Sequence, residues 1–128
     1  MAKLTDKQRE FLQQPFVATV TTLREDGSPQ STVVWLDVDD GGVSFNTALG
    51  RAKPKHLERD PRASVLVVDP TDPYKWVSID GRVEITTEGA DELVDVLVGK
   101  DEYPWRNPEE TRVRVRITPE HITATGLE

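Results

Sequence analysis

The residues with the clearest potential for chemistry are basic ones, gathered between positions 51 and 56. Arg51, Lys53, Lys55 and His56 surround the start of a predicted helix. Pro54 suits the first position of that helix, because the N–H that proline lacks would have no partner there. The positive end of a helix dipole disfavours cations. Several basic side chains at that end therefore predict a bound anion, such as a phosphate.

Two alternatives to an anion site stay open at this cluster. The basic side chains could simply be solvated, or they could pair with the nearby carboxylates of Glu58 and Asp60. If an anion is bound, Asn46 and Thr47 at the end of the preceding strand could add hydrogen-bond donors.

Other common kinds of functional site find no support in the sequence. It contains no cysteine and two histidines, so the usual ligand sets of a zinc site are missing. It also contains no glycine-rich dinucleotide or phosphate loop and no nucleophile elbow. The net charge of −7 repels a phosphate backbone. Neither a metal nor a nucleic acid is therefore expected as a partner.

Length and composition favour one soluble domain spanning residues 1–128, a common domain size. No apolar run approaches the roughly 20 residues that a membrane helix needs. The segment Met1–Asp6 lacks the apolar stretch of a signal peptide. The absence of cysteine is compatible with a reducing compartment. We therefore expect a cytoplasmic protein with no membrane partner.

Short β-type segments separated by turns predominate along the chain. We predict helices from Thr5 to before Pro15, over 54–59 and over 88–98, and strands over 16–23, 30–38, 43–46, 63–69, 76–86, 111–118 and 121–127. The first three strands are expected to form an antiparallel meander. Gly81, in the middle of a strand, indicates a bend or bulge. This pattern favours a mainly β fold, an antiparallel barrel of six to seven strands with flanking helices.

The aromatic residues and a row of arginines have more than one interpretation. Trp35 lies among β-branched residues, so core packing is its expected role, although aromatic side chains also line cofactor pockets. The other aromatic residues of interest could line a pocket or a subunit interface: Tyr74, Trp76 and Trp105. The alternating row Arg112, Arg114 and Arg116 could be a plain outer strand face, or could meet an acidic ligand or a partner subunit.

Two stretches of the chain resemble the split β-barrel of the pyridoxamine-phosphate-oxidase-like flavoproteins. The first is GSPQ at 27–30 leading into TVVW at 32–35. The second is NT at 46–47 followed by GRAK at 50–53. More narrowly, the chain is similar, from about Leu4 to Thr125, to the small oxidoreductases that use the deazaflavin coenzyme F420.

The resemblance implies an FMN-binding-like split barrel with its cofactor at a homodimer interface. It implies that the strand over 31–35 lies along the cofactor ring, mainly through backbone contacts, and that the basic segment holds the phosphate. Trp76 is expected to reach the cofactor of the partner. The cofactor-binding residues expected on this ground are Ser31, Thr32, Val33, Val34, Trp35, Asn46, Thr47, Arg51, Lys53, Lys55 and Trp76.

The function that the resemblance implies is hydride transfer from reduced F420 to an unsaturated or conjugated small molecule. The segment 116–121 lacks the substrate-binding tail of true pyridoxamine-phosphate oxidases, which argues against vitamin B6 oxidation. A cofactor that carries the hydride requires no side-chain acid or base, so no catalytic residue is assigned. The acidic tail of F420 needs further cations, for which Lys53, Lys55 and Arg59 are candidates. An FMN-binding oxidoreductase, a non-catalytic F420 carrier and a cofactor-free interaction barrel remain alternatives.

Overall fold

The computed structural model of the protein describes residues 2–39, 41–48, 52–87 and 112–127. Within these ranges the fold is mainly β, as predicted. Its helices are α1 (Asp6–Leu12) and α2 (Ala52–Arg59), and its strands are β1 (Val17–Leu23), β2 (Pro29–Trp35), β3 (Asp37–Val38), β4 (Val43–Ala48), β5 (Arg62–Asp69), β6 (Asp72–Thr86) and β7 (Arg112–Thr125). The predicted helix over 88–98 and the loop residue Trp105 lie outside the described residues.

The position of Leu36 explains how the sheet closes. All strand pairs are antiparallel, and the order across the sheet is β2-β1-β5-β6-β7-β4-β3. β2 and β3 lie at opposite edges, yet Leu36 alone separates them in the chain. A connection of one residue reaches about 7 Å, whereas seven flat strands would span about 29 Å. The sheet therefore curls until its edges meet, which gives the split β-barrel that the sequence predicts.

The predicted meander of the first three strands is confirmed in its antiparallel pairings, since β1 pairs with β2 and β3 pairs with β4, where Asp37 lies opposite Ser44. It is wrong in treating residues 30–38 as one continuous strand. β1 and β2 do form a hairpin, in which Val17 lies opposite Trp35. The predicted strand over 30–38, however, is interrupted at Leu36, which is 1% exposed. The chain then continues at the other edge of the sheet, where β4 pairs with β7 and Phe45 lies opposite Val115.

The core lies on the inner face of the curled sheet, and the alternation of apolar residues in each strand identifies that face. Buried inner residues include Val20, Val65, Ile79, Val115 and Ile117. α1 covers one end of the core with Phe11 and Leu12. The predicted capping box of α1 is confirmed, because the Thr5 hydroxyl accepts from the Gln8 N–H at 3.1 Å and Gln8 Oε1 accepts from the Thr5 N–H at 3.0 Å.

A bulge interrupts the long pair β6–β7, as the glycine in mid-strand predicts. Asp80 lies opposite His121 and Gly81 lies opposite Pro119, so Glu120 has no residue opposite it. A Cβ atom at Gly81 would collide with the carbonyl oxygen of Thr118, which explains the glycine. β7 continues through the bulge, so the prediction of two separate strands over 111–118 and 121–127 is wrong.

Asp39 connects the β3–β4 turn to β7. Its Oδ1 accepts hydrogen bonds from the N–H groups of Gly41 (2.7 Å) and Gly42 (2.8 Å) and from Arg116 Nη2 (2.8 Å), and its Oδ2 accepts from Arg114 Nη2 at 3.4 Å. Burial raises the pKa of Asp39, but the hydrogen bonds from Arg116 and the two glycines outweigh burial and hold the pKa below its ordinary value of 3.8. The acidic group facing two members of the arginine row is therefore a residue of this chain.

We expect Asp39→Asn to lower the free energy of unfolding by about 1–2 kcal/mol at pH 7, because the amide loses the charge-assisted hydrogen bonds. A carboxyl with a lowered folded pKa stabilises the fold fully above its unfolded pKa and loses that contribution as the pH falls through the folded pKa. The difference from the wild type should thus shrink below pH 3.8. Urea unfolding of both proteins at pH 7 and pH 3 measures this difference in the free energy of unfolding.

Asp37→Asn is the control for this prediction, since it removes the same charge two residues earlier. A difference between wild type and Asp39→Asn that stays the same at both pH values would contradict the assigned ion pairs.

Candidate functional site

The five residues predicted to lie along a cofactor ring form most of β2. β2 is an edge strand, hydrogen-bonded to β1 on one side. Such a strand has backbone N–H and C=O groups on its free edge that can bond to a ligand. Side chains alternate along it, with Ser31 and Val33 exposed and Thr32 and Val34 partly buried. The structure therefore places this segment where backbone recognition of a flat ligand is possible.

Asn46 and Thr47, which the sequence places together, point to opposite faces of β4. Asn46 lies opposite Arg114, on the outer face, whereas Thr47 lies opposite Val113, on the core face. Thr47 is 1% exposed, and its hydroxyl oxygen is buried with no hydrogen-bond partner among the described residues. A buried hydroxyl without a partner costs free energy. Thr47 therefore has an unsatisfied hydroxyl to offer a ligand.

α2 begins four residues after β4 ends and carries the basic cluster. Lys53 lies in its first turn, Lys55 is exposed, and Arg51 lies outside the described residues. No carboxylate of the described ranges lies within 4.0 Å of Lys55 Nζ, so this cation is available to an anionic ligand.

Asp60, which offered an alternative partner for the cluster, is held by another residue. Arg62 donates from Nε to Oδ1 at 2.9 Å and from Nη2 to Oδ2 at 2.7 Å. These hydrogen bonds lower the pKa of Asp60 to about 2. Because a bidentate arginine already neutralises this carboxylate, the charges of the basic cluster are not compensated by Asp60.

Side chains of the second half of α2 fasten the helix to β1. His56 Nδ1 and Thr22 Oγ1 share a hydrogen bond of 2.9 Å, and Arg59 Nη2 donates to the carbonyl oxygen of Leu23 at 3.0 Å. Leu57 is buried in the core. His56, which was not predicted to contact a ligand, thus positions the helix. Arg59, a candidate for the acidic tail of F420, uses one of its donors in the same way.

Two polar residues beside this site, Thr22 and Gln30, are missing from the sequence-based prediction. They lie opposite each other on β1 and β2. Thr22 is buried, and the Oε1 atom of Gln30 is buried with no hydrogen-bond partner in the described part of the chain. The signal that identifies Thr22 is the alternation of β1, in which Ala18, Val20 and Thr22 occupy successive inward positions. A polar side chain at an inward position needs a partner, and His56 is that partner.

Trp76 does not lie beside β2 within one chain. It is opposite Val68 on β5, whereas Trp35 is opposite Val17 on β1. The two tryptophans are thus on strands three positions apart, a separation of about 14 Å. A single chain therefore does not bring Trp76 to a ring that lies along β2.

The described residues contain no group of three or more His, Asp or Glu side chains arranged to hold a metal ion. Neither of the two helices in these ranges has the length and apolar character needed to cross a membrane.

Comparison with known proteins finds one family model that matches residues 4–126, described as pyridoxamine 5'-phosphate oxidase. The pyridoxine/pyridoxamine 5'-phosphate oxidase of Citrobacter koseri is 29% identical over 119 residues, which is 91% of this chain and 50% of that protein. The chain thus spans about half the length of such curated relatives.

Two further comparisons cover nearly the whole of both proteins. An F420H(2)-dependent biliverdin reductase of Mycobacterium tuberculosis is 26% identical over 125 residues, which is 97% of this chain and 90% of that protein. A solved structure described as an F420 reductase superposes with a TM-score of 0.83 at 23% identity, covering 94% of this chain and 98% of that one. At this identity the superposition shows the fold, which agrees with the split β-barrel.

The unsatisfied hydroxyl of Thr47 leads to a prediction with opposite effects on stability and binding. Thr47→Val keeps the shape and removes the hydroxyl, so the free protein should gain up to about 1 kcal/mol of stability, since a buried unsatisfied group is removed. Binding of F420 or FMN should weaken if the hydroxyl contacts the cofactor. Thermal unfolding without ligand and fluorescence titration with cofactor measure the two effects.

Thr22→Val is the matched control, because the hydroxyl of Thr22 is equally buried but bonded to His56. It should destabilise the free protein by about 1–2 kcal/mol. Equal destabilisation by both variants would show that the Thr47 hydroxyl already has a partner.

Proposed function

Because this chain belongs to the pyridoxamine 5'-phosphate oxidase family, we propose that it is an oxidoreductase that binds reduced F420 and reduces an unsaturated or conjugated small molecule. The proposal rests on the junction of β4 and α2, where a buried unsatisfied hydroxyl at Thr47 precedes an uncompensated cation at Lys55. A phosphate-bearing cofactor would satisfy both groups. The adjacent edge strand β2 would receive the ring.

The residues present fit such a cofactor in their chemistry. Arg51, Lys53 and Lys55 would hold the phosphate at the start of α2, where the helix dipole also favours an anion. The backbone of residues 31–35 would orient the ring, and Thr47 would bond to a polar group of the cofactor. Bound in this way, a reduced deazaflavin or flavin supplies the hydride. The chain itself binds, orients and excludes water, and we assign no side chain as acid or base.

The preference for F420 over FMN is supported by the F420H(2)-dependent biliverdin reductase, which is similar to this chain over 97% of the chain's length. FMN remains the second candidate, because the oxidase relatives of this family support it. The substrate class is proposed on the same grounds.

Separate fluorescence titrations with F420 and FMN test the cofactor assignment. We expect tighter binding of F420. Arg51→Ala and Lys55→Ala should each weaken that binding by about 1–3 kcal/mol, the usual scale of charge-assisted hydrogen bonds. Lys75→Ala removes an exposed lysine from β6 and is the matched control. Tighter binding of FMN would overturn the cofactor choice, and unchanged affinity in both cluster variants would overturn the phosphate assignment.

Turnover then distinguishes an enzyme from a carrier. Protein that binds reduced F420 but does not oxidise it in the presence of enones, quinones or tetrapyrroles would be a carrier.

An exposed apolar face supports a homodimer with the cofactor between the subunits. This apolar face consists of Val17, Val33, Leu66 and Val68 on the outer side of β1, β2 and β5. Val33 is 67% exposed. Val33 on β2 and Leu66 on β5 both lie opposite Thr19, one on each side of β1. Contiguous exposed apolar side chains mark interaction surfaces. A second copy on this face would cover β2 and would have its own Trp76 at the border of the interface, because Trp76 lies opposite Val68.

Leu66→Glu should convert the dimer to a monomer, because it places a charge within the apolar face. Cofactor affinity should fall with it, since each site would lose the partner subunit. Sedimentation velocity and F420 titration measure the two effects. Gln13→Glu, an exposed change directly after α1, is the control. A variant that stays dimeric would place the interface elsewhere, and a monomer with full affinity would place the site within one chain.

A further inference from the structure

A second cleft lies on the outer surface of the sheet, at the β6–β7 bulge. This bulge cleft has a volume of about 330 Å³ and includes Leu23, Ala63, Ser64, Asp80, Gly81 and His121 in its lining. Leu23, Ala63 and the side-chain-free Gly81 give it apolar walls. Because Glu120 is the extra residue of the bulge, Glu120 and His121 are both exposed although they are consecutive in one strand. Bulges commonly re-aim side chains in this way at functional sites.

The cations around the bulge cleft are already engaged by carboxylates. Arg62 is held in a bidentate pair by Asp60, at 2.9 and 2.7 Å. Arg82 Nε lies 4.0 Å from Glu120 Oε1. Arg62 is therefore not a free positive charge for an anionic ligand, whereas Arg82 and Glu120 are more than half exposed and form a weak surface pair.

Asp80 differs from these paired groups. Its Oδ1 accepts a hydrogen bond from the Ser64 hydroxyl at 2.6 Å. No cationic side chain in the described ranges lies within 4.0 Å of its carboxylate. His121 lies directly opposite Asp80 on the neighbouring strand. The bulge cleft thus presents one uncompensated carboxylate, oriented by a serine, against apolar walls.

We propose that the bulge cleft binds a small planar organic cation, an aromatic or conjugated amidine, guanidine or amine. The cationic group would bond to Asp80, and the flat apolar body would lie against Leu23, Ala63 and Gly81. A volume of about 330 Å³ lies at the lower end of the range for small-molecule pockets. The bulge cleft lies beside the apolar face. Thr21, Ser64 and Asp80 lie opposite one another on neighbouring strands there and line the cleft. This site does not depend on the proposed cofactor or on its chemistry.

Benzamidine is the probe, with benzamide as its uncharged analogue of the same shape. Both are titrated into the full chain without F420 or FMN, and binding is followed through the backbone amide NMR signals of residues 63–64, 80–81 and 120–121. We expect benzamidine to bind at least tenfold more tightly than benzamide, with shifts confined to these residues. Equal affinities, or shifts elsewhere on the chain, would overturn the proposal.

Three variants test the role of Asp80. Asp80→Asn should remove the preference for benzamidine, a loss of five- to tenfold or more. Glu84→Gln removes a charge from the same strand outside the cleft and should leave the preference unchanged. Ser64→Ala removes the hydrogen bond to Asp80 but keeps the Asp80 carboxylate, so this variant should retain most of the preference for benzamidine. It thereby separates the effect of the charge from the effect of local structure. A preference for benzamidine that persists in Asp80→Asn would overturn the assignment.

Discussion

The architecture depends on one constraint, the single buried residue that joins the two edges of the sheet. Leu36 connects β2 to β3, and these strands can be consecutive only if the seven-stranded sheet curls until its edges meet. Closure places β4 against β7 and near β2. Because α2 follows β4, closure also brings the helix under β1, where Thr22 and Leu23 hold it. The candidate cofactor site lies at this meeting of edges, where β2 has a free side.

Local features of the fold are predictable because local physical chemistry determines them. The capping box at Thr5 and Gln8, the strand alternation and the bulge at Gly81 each depend on a few neighbouring residues. The order of the strands is not local. Nothing in residues 30–38 shows that the strand breaks at Leu36, since the whole segment has β-type composition. The pairing of residues 43–48 with 112–117 depends on partners about 70 positions away, which periodicity does not identify.

The candidate site likewise has some features that the sequence predicts and others that it does not. The basic cluster and its helix are visible in the sequence, because residue type and the position of Pro54 suffice. The sequence does not show that Asn46 and Thr47 lie on different faces of the sheet in a known direction. Consecutive residues of a strand face opposite sides, and the pairing of β4 with β7 decides which of the two faces the core. The exposed apolar face is likewise invisible in the sequence. Valines at outward and inward positions are the same residue type, and the position of a strand in the sheet decides which of them remain exposed.

The pairing of β4 with β7 has a consequence for how the chain folds. Residues 43–48 cannot complete their sheet until residues 112–117 exist, so a chain emerging from the ribosome has an open β4 edge while the more than 60 residues between them are made. The β1–β2 hairpin and the β5–β6 hairpin need much shorter loops and can form first. Sheets dominated by such distant pairs fold slowly, in milliseconds to seconds, and expose unpaired strands meanwhile. The arrival of β7 is therefore the late step that closes the barrel and completes its core.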